Sequence, residues 1–204
     1  MEESLSTNDS GLICDFTGGA VGHRQRAGGG RGQALPRAAG FTKGRTPSVV
    51  DATAGLGRDA YLLASLGAEV TLIERSPEIY ALLQDGLARA EAAGGKVAET
   101  VARMTLLFGD AQALLPQLAP EMVLVDPMHP PRGNTALVKK EMRLLRAIVG
   151  SDPDAADLMR VALTVATKRV VLKYPLRAEG MAELAPPSHQ IRGKTTRYDV
   201  FMIG

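Results

Sequence analysis

Apolar positions along this chain fall into two alternating rhythms. Short continuous runs ending at VVD (49–51), EVTLIER (69–75), MTLLFGD (104–110), MVLVDPM (122–128) and RVVLKYP (169–175) have the length and β-branched content of strands buried on both faces. Between them, apolar residues recur every three or four positions: RDAYLLASLG from Arg58, PEIYALLQDGLARAEA from Pro77, KVAETVAR from Lys96, AQALLPQL from Ala111, TALVKKEMRLLRAIVG from Thr135 and PDAADLMRVALTVATK from Pro153. Ser76 and Pro77 read as the cap and first position of one helix, with Ile79, Leu82, Leu83 and Leu87 on its apolar face. Gly94-Gly95 breaks that pattern, and Pro116 disturbs the short helix after Ala111. The tail, with SHQIRGKT and RYDVFMIG, reads as a terminal antiparallel hairpin. Strands alternating with helices predict a doubly wound, Rossmann-like α/β sheet, mostly parallel, with that hairpin at its end.

In such sheets ligands lie beyond the carboxyl ends of the strands, so the residues there are the candidates for chemistry. The first strand ends at Asp51 and opens into a turn containing Gly55 and Gly57, which permit close backbone approach before a helix with free N–H groups begins. Glu74 closes the second strand at the spacing where an acid accepts hydrogen bonds from ribose hydroxyls, and Asp110 closes the third. Only Gly55 and Gly57 flank Leu56, short of the three-glycine dinucleotide pattern. An acid as close as Asp51 would repel a pyrophosphate but favours an ammonium or a sulfonium. S-adenosylmethionine carries both cations and no phosphate. Asp51 as a mere turn or capping residue is the plainer alternative, and the matching acids on the neighbouring strands weigh against it.

The fourth strand runs into Asp126, Pro127, Met128 and His129. An exocyclic amino group donates two hydrogens, and the Asp126 carboxylate with the Pro127 carbonyl supplies two acceptors. An isolated Asp-Pro is usually a rigid strand end; following a cofactor strand, it reads as the acceptor site for methyl transfer.

Composition narrows the class. At 204 residues the chain suits one domain with a substantial core, and 45% apolar residues without Trp make that core aliphatic. Cys14 is the single cysteine, which excludes an intrachain disulfide and fits a reducing cytoplasm. His23, His129 and His189 are not at ligand spacing, so no metal is expected. There is no apolar run long enough to span a membrane, and MEESLSTNDS lacks a signal core, so a soluble cytoplasmic protein is expected.

Charge changes the picture at the N-terminus. The net charge is +2, yet residues 1–15 hold only acids (Glu2, Glu3, Asp9, Asp15) and residues 16–46 only bases (Arg24, Arg26, Arg31, Arg37, Lys43, Arg45). Interleaved with glycine, Arg24, Arg26 and Arg31 form an electrostatic footprint for a nucleic acid backbone; a solvated Gly/Arg leader is the blander alternative. A second basic stripe, Lys139, Arg143 and Arg146, follows the Asp126 loop at helical spacing, with Leu137, Leu144, Leu145 and Ile148 turned to the core. Residues 1–46 are therefore expected as a leader and basic segment, and 47–204 as the catalytic domain.

DFTGGAVGHRQRAGGGRG, VVDATAGLGRDAYLLASLG, LIERSP, VDPMHP, ALVKKEMRLLRAIVG and ATKRVVLKYP together resemble the RsmJ family, 16S ribosomal RNA guanine-N2 methyltransferases of the class I S-adenosylmethionine-dependent fold. The resemblance covers nearly everything from Asp15 onward. It implies S-adenosylmethionine contacts by Arg58 and Asp59, by Glu74 and Arg75, by Asp110 and Ala111, and by Asp126. It also implies 16S ribosomal RNA or the small ribosomal subunit as partner. Where the family has an aromatic residue after DPM this chain has His129, whose imidazole can still stack on a base. At the position matched to a family serine it has Asp110, suited to the adenine amino group. Only fourteen residues precede Asp15, so part of a small N-terminal lobe is expected to be missing. Two other classes compete: an adenine N6-methyltransferase with the same acceptor geometry, and a non-catalytic RNA-binding ribosome assembly factor.

Overall fold

A computed structural model describes residues 11–18, 30–128, 140–150 and 152–204, with 140–142 by their backbone alone. Helix α1 (Ala34–Ala39) precedes strand β1 (Val49–Asp51) and helix α2 (Arg58–Ser65). Strand β2 (Val70–Glu74), helices α3 (Pro77–Ala93) and α4 (Gly95–Val101), strand β3 (Met104–Phe108) and the short helix α5 (Ala111–Leu114) follow. Then come β4 (Met122–Val125), α6 (Lys140–Val149), α7 (Ala155–Val165), β5 (Arg169–Pro175), β6 (His189–Arg192) and β7 (Thr196–Met202). The sheet order is β3-β2-β1-β4-β5-β7-β6, with β1 to β5 mutually parallel and β7 antiparallel to both β5 and β6. This is the expected doubly wound sheet with its terminal hairpin.

Alternation along the strands builds the core on both faces. Val49, Leu72, Met122, Leu124 and Val171 pack with α1 to α4 and Leu145 of α6, while Val50, Ile73, Val123, Val125, Val170 and Leu172 pack with α5 and α7. Ser76 caps α3 through a 3.3 Å bond from the Ile79 N–H, with Pro77 at the first position. Ile79 and Leu83 are fully buried, and Leu82 and Leu87 pack against them from the margin. Strand β3 stops two residues short of the expected Asp110, because Gly109 turns the chain at φ +146° and Asp110 caps α5, accepting from the Gln112 N–H at 2.8 Å.

The described part of the expected leader does not stand apart from the domain. Leu12, Cys14 and Phe16 are buried in the same core as β1 and β2, and Phe16 stacks on Tyr61 of α2 at 5.1 Å. Gly86, in the middle of α3, admits this segment: a Cβ there would lie 2.7 Å from the Cys14 carbonyl oxygen. Burial pushes the Cys14 thiol up to about 12, against the pull of Arg89. Helix α1 lies against β5, β6 and β7. Three apolar residues thus made the segment part of the core, a contribution its flanking glycines and charges concealed.

Candidate active site

The strand order reverses between β1 and β4, and the crevice at their carboxyl ends is where the sequence-identified acids collect. Two adjoining hollows open there. One is lined by Gly55, Glu74, Arg75, Asp110, Ala111 and Asp126, among others. The other is lined by Asp51, Leu56, Arg58, Asp59, Arg146 and Lys173, among others. They share Thr53, Gly55, Asp126, Pro127 and Met128, so Asp126 stands at their junction.

The first hollow is organised by Glu74. Its carboxylate is buried and accepts the Gly55 N–H at 3.0 Å and the Ser76 N–H at 2.8 Å. Burial nevertheless holds its pKa above the usual carboxylate range, outweighing the bonds from Ser76 and Gly55 that act to lower it. With the backbone N–H groups of Ser76, Gly55 and Arg75 upon it, the carboxylate still keeps acceptor capacity for a ribose hydroxyl. Asp110 and Ala111 line the same hollow. The segment before α7 closes the near side: Arg75 pairs with Asp154 at 2.7 Å and with Asp152, Gln112 donates to Asp154 at 3.0 Å, and the Met128 N–H donates to Asp152 at 2.7 Å. The Arg75 bond holds the Asp154 carboxyl below its ordinary range. Sequence reading missed Asp152 and Asp154, whose signal was two acids flanking a proline immediately before a helix.

The second hollow is a charge cluster. Asp51 is 3% exposed, its Oδ1 accepting from the Thr53 N–H at 3.3 Å, and burial with the nearby Asp59 charge pushes its pKa up to about 7. Lys173 of β5 donates to Asp59 and to Asp126, each at 2.6 Å. Burial acts to lower the pKa of that ammonium; Asp126 and Asp59 more than offset it and raise it above the usual value. The Asp126 N–H donates to Thr53 Oγ1 at 2.7 Å, so backbone and side chain of Asp126 are both fixed. Lys173 and Thr53 were not foreseen. A lysine directly after the apolar run Val170–Leu172, near the carboxyl end of β5, was the available signal, since a charge placed there needs partners.

Three of the expected groups take particular places in the fold. Gly57 lies against the core and lines neither hollow: at φ +68° its added Cβ would lie 2.9 Å from Leu83 and 3.0 Å from Phe16, and its N–H and carbonyl serve Ala54 and Tyr61. It shapes the turn against the core. Arg31 is tied into the domain: Nη1 donates to the carbonyls of Thr42 and Arg45, both at 2.7 Å, and Nη2 to Thr46 Oγ1 at 2.7 Å and the Leu66 carbonyl at 3.2 Å. A guanidinium so engaged braces the loop behind β1. The basic stripe on α6 divides, because Arg143 is exposed whereas Arg146 is half-buried and lines the second hollow. Leu145 is buried and Leu144 and Ile148 pack beside it, as expected. His129, Arg24, Arg26, Lys139 and Leu137 lie outside the described residues.

The chemistry of the lining suits a cationic ligand. In the first hollow Glu74, Asp110, Asp126, Asp152 and Asp154 stand against Arg75 alone, an excess of acidic groups that attracts sulfonium and ammonium groups and repels a pyrophosphate, whereas in the second Asp51, Asp59 and Asp126 are balanced by Arg58, Arg146 and Lys173. Among the described residues no cluster of three or more His, Cys, Asp or Glu is placed to hold a metal ion, and no helix is long and apolar enough to cross a membrane.

Known proteins match this architecture closely. A family model described as a putative SAM-dependent methyltransferase matches residues 2–203. Proteins named ribosomal RNA small subunit methyltransferase J from Agrobacterium fabrum and Brucella anthropi are 69% and 67% identical, over 98% and 99% of this chain and 96% and 98% of theirs. A crystal structure of a SAM-dependent methyltransferase from Neisseria gonorrhoeae, 37% identical, has a TM-score of 0.74 over 94% of this chain and 74% of that one.

Proposed function

Because this chain belongs to the RsmJ family of class I S-adenosylmethionine-dependent methyltransferases, we propose that it methylates the exocyclic N2 of a guanine in 16S ribosomal RNA. The observation that carries the site assignment is the junction of the two hollows at Asp126, Pro127 and Met128. A cofactor with its adenosine in the first hollow and its amino acid end reaching past the junction toward Asp51, Arg58 and Asp59 would meet a target base arriving at Asp126. The names of the relatives support small-subunit ribosomal RNA as the substrate.

S-adenosylmethionine supplies an electrophilic methyl group on a sulfonium. The protein's part is binding and orientation. Glu74 accepts from the ribose hydroxyls, Asp110 from the adenine amino group, with Ala111 against the ring, and Gly55 lets the backbone approach. Asp51, Arg58 and Asp59 surround the amino acid end, and Arg75 closes the wall through Asp152 and Asp154. Asp126 and the Pro127 carbonyl accept the two hydrogens of the target amine, whose lone pair is otherwise delocalised into the ring. Acceptors of this kind favour the more localised, positively charged nitrogen of the transition state. Holding that nitrogen in line with the methyl group lowers the barrier by several kcal/mol, on the order of the gain from orientation in general. A proton leaves the nitrogen, to Asp126 or to water, once its new bond to carbon has replaced the carbon–sulfur bond, with S-adenosylhomocysteine as the leaving group. His129 stacks on the base. A guanine N2 is out of reach inside a paired helix, so the base is splayed out or presented in a loop. Arg24, Arg26, Lys139 and Arg143 meet the phosphates, with Arg146 nearer the base.

Transfer of labelled methyl from S-adenosylmethionine to small ribosomal subunits and to naked 16S RNA, followed by nucleoside analysis, tests this reading. N2-methylguanosine is the expected product. N6-methyladenosine would replace guanine by adenine as the target, and absence of label from both substrates would favour an assembly factor.

A further inference from the structure

The pair of 2.6 Å bonds from Lys173 is a feature that the cofactor and acceptor assignments leave unused. Lys173 follows Leu172, which is in register with Val125, so β5 sets it directly beside Asp126 in the sheet. Its strand alternation turns it away from the face of Val170 and Leu172 and toward the side of Val171, where α2 lies. Asp59, its second partner, is in the first turn of α2, immediately after the glycine turn. One ammonium therefore ties the first turn of α2 to the acceptor loop.

We propose that Lys173 is a positioning residue for methyl transfer, holding the Asp126 carboxylate in the orientation that receives the target amine and fixing it relative to the cofactor side of the crevice through Asp59. The inference rests on the reading that Asp126 holds that amine. Thr53 already fixes the Asp126 backbone at 2.7 Å, but a carboxylate still rotates about its own side-chain bonds unless an oxygen is held. Lys173 supplies that hold. It also places a positive charge between two carboxylates, leaving the Asp59, Lys173 and Asp126 group with one net negative charge. That charge lies close to the positive charge that passes from sulfur to nitrogen, without the mutual repulsion that Asp59 and Asp126 would otherwise exert. Lys173 touches neither reacting atom in this account; it acts through Asp126.

The test is steady-state methyl transfer to small ribosomal subunits that lack the modification, with the parent protein, Lys173→Met, Asp126→Asn and the double variant. S-adenosylhomocysteine affinity is measured on each by calorimetry. Lys173→Met is expected to lower kcat by about a hundredfold, the scale of loss when a reacting group is slightly misplaced, with S-adenosylhomocysteine affinity held within about twofold. In the double variant the two losses should not add, because Lys173 has nothing to orient once the carboxylate is gone. Ethylamine added to Lys173→Ala should restore part of kcat, which separates lost positioning from lost folding. Parental kcat in Lys173→Met with Asp126→Asn impaired would overturn the inference and leave Asp126 in place. Additive losses would overturn it too. If Asp126→Asn is fully active, the reading beneath the inference fails. Loss of S-adenosylhomocysteine binding in step with kcat, with no response to ethylamine, would reduce Lys173 to a structural ion-pair partner.

Discussion

The Glu74 carboxylate accepts the Gly55 N–H at 3.0 Å, so the acid at the end of β2 and the glycine turn after β1 form one unit. Glu74 thus does two jobs, anchoring the turn and presenting oxygen to a ribose. Glu74→Ala should weaken S-adenosylhomocysteine binding tenfold or more, since a hydrogen bond involving a charged group contributes about 1.5–3 kcal/mol. It should also lower the thermal midpoint, because the Gly55 and Ser76 N–H groups lose their acceptor. Calorimetry with a melting curve on the same sample checks both; parental affinity in the variant would remove Glu74 from the cofactor site.

Asp51 makes stability depend on pH in a direction opposite to that of a salt-bridged acid. Its folded pKa stands at about 7, above the ordinary carboxylate value of 3.8. Between those values the folded chain holds a proton that the unfolded chain has released, so this residue's contribution to stability falls as pH rises from 4 to 7 and is level above. Asp51→Asn keeps an acceptor for the Thr53 N–H without the buried charge. It should melt higher than the parent at pH 8, by an amount that shrinks toward pH 4. Denaturation of both proteins across that range measures the difference, and a difference independent of pH would show that Asp51 does not titrate there.

Gly86→Ala sets helix propensity against packing. Alanine in the middle of a helix is favoured by about 0.5–1 kcal/mol over glycine. Here the new Cβ would meet the Cys14 carbonyl oxygen at 2.7 Å and its sulfur at 2.9 Å, and Arg89 holds that carbonyl with a 2.5 Å bond. Overpacking costs about 1–3 kcal/mol, so net destabilisation is expected. The segment around Cys14 should loosen with it, read as faster reaction of the otherwise buried thiol with a disulfide reagent.

Arg31 and Arg143 should separate folding from RNA binding. Arg31→Ala removes four hydrogen bonds to the loop and α2, and about 2–3 kcal/mol of stability should go with them. Its RNA affinity should keep the parental salt dependence. Arg143→Glu, on the exposed face of α6, should leave the melting curve unchanged and reduce the magnitude of the salt slope by about one or more. Titrations of small subunits or 16S RNA at several salt concentrations distinguish them. A shallower slope for Arg31→Ala would return that arginine to the RNA surface.

The local rhythm of the chain determined its elements and their order. Runs such as MVLV and RVVL could only be buried strands, and the amphipathic stretches between them had to cover both faces, so the parallel sheet and its carboxyl-end crevice followed. Asp51, Glu74, Asp110 and Asp126 were legible because each stands at or just after the end of an apolar run. Partnership across the sequence was not legible. Only the sheet order set β5 beside β4 and so brought Lys173 to Asp126, 47 positions away. Only the packing of Leu12, Cys14 and Phe16 drew the described part of the N-terminal segment into the core. Arg31 shows the same division. Its charge marked it as an RNA ligand, but four acceptors from Thr42, Arg45, Thr46 and Leu66 converge on it in the fold. Periodicity is a property of neighbouring residues and survives in the sequence, whereas the partner of a charge depends on which distant elements become adjacent, and that is decided when the sheet assembles.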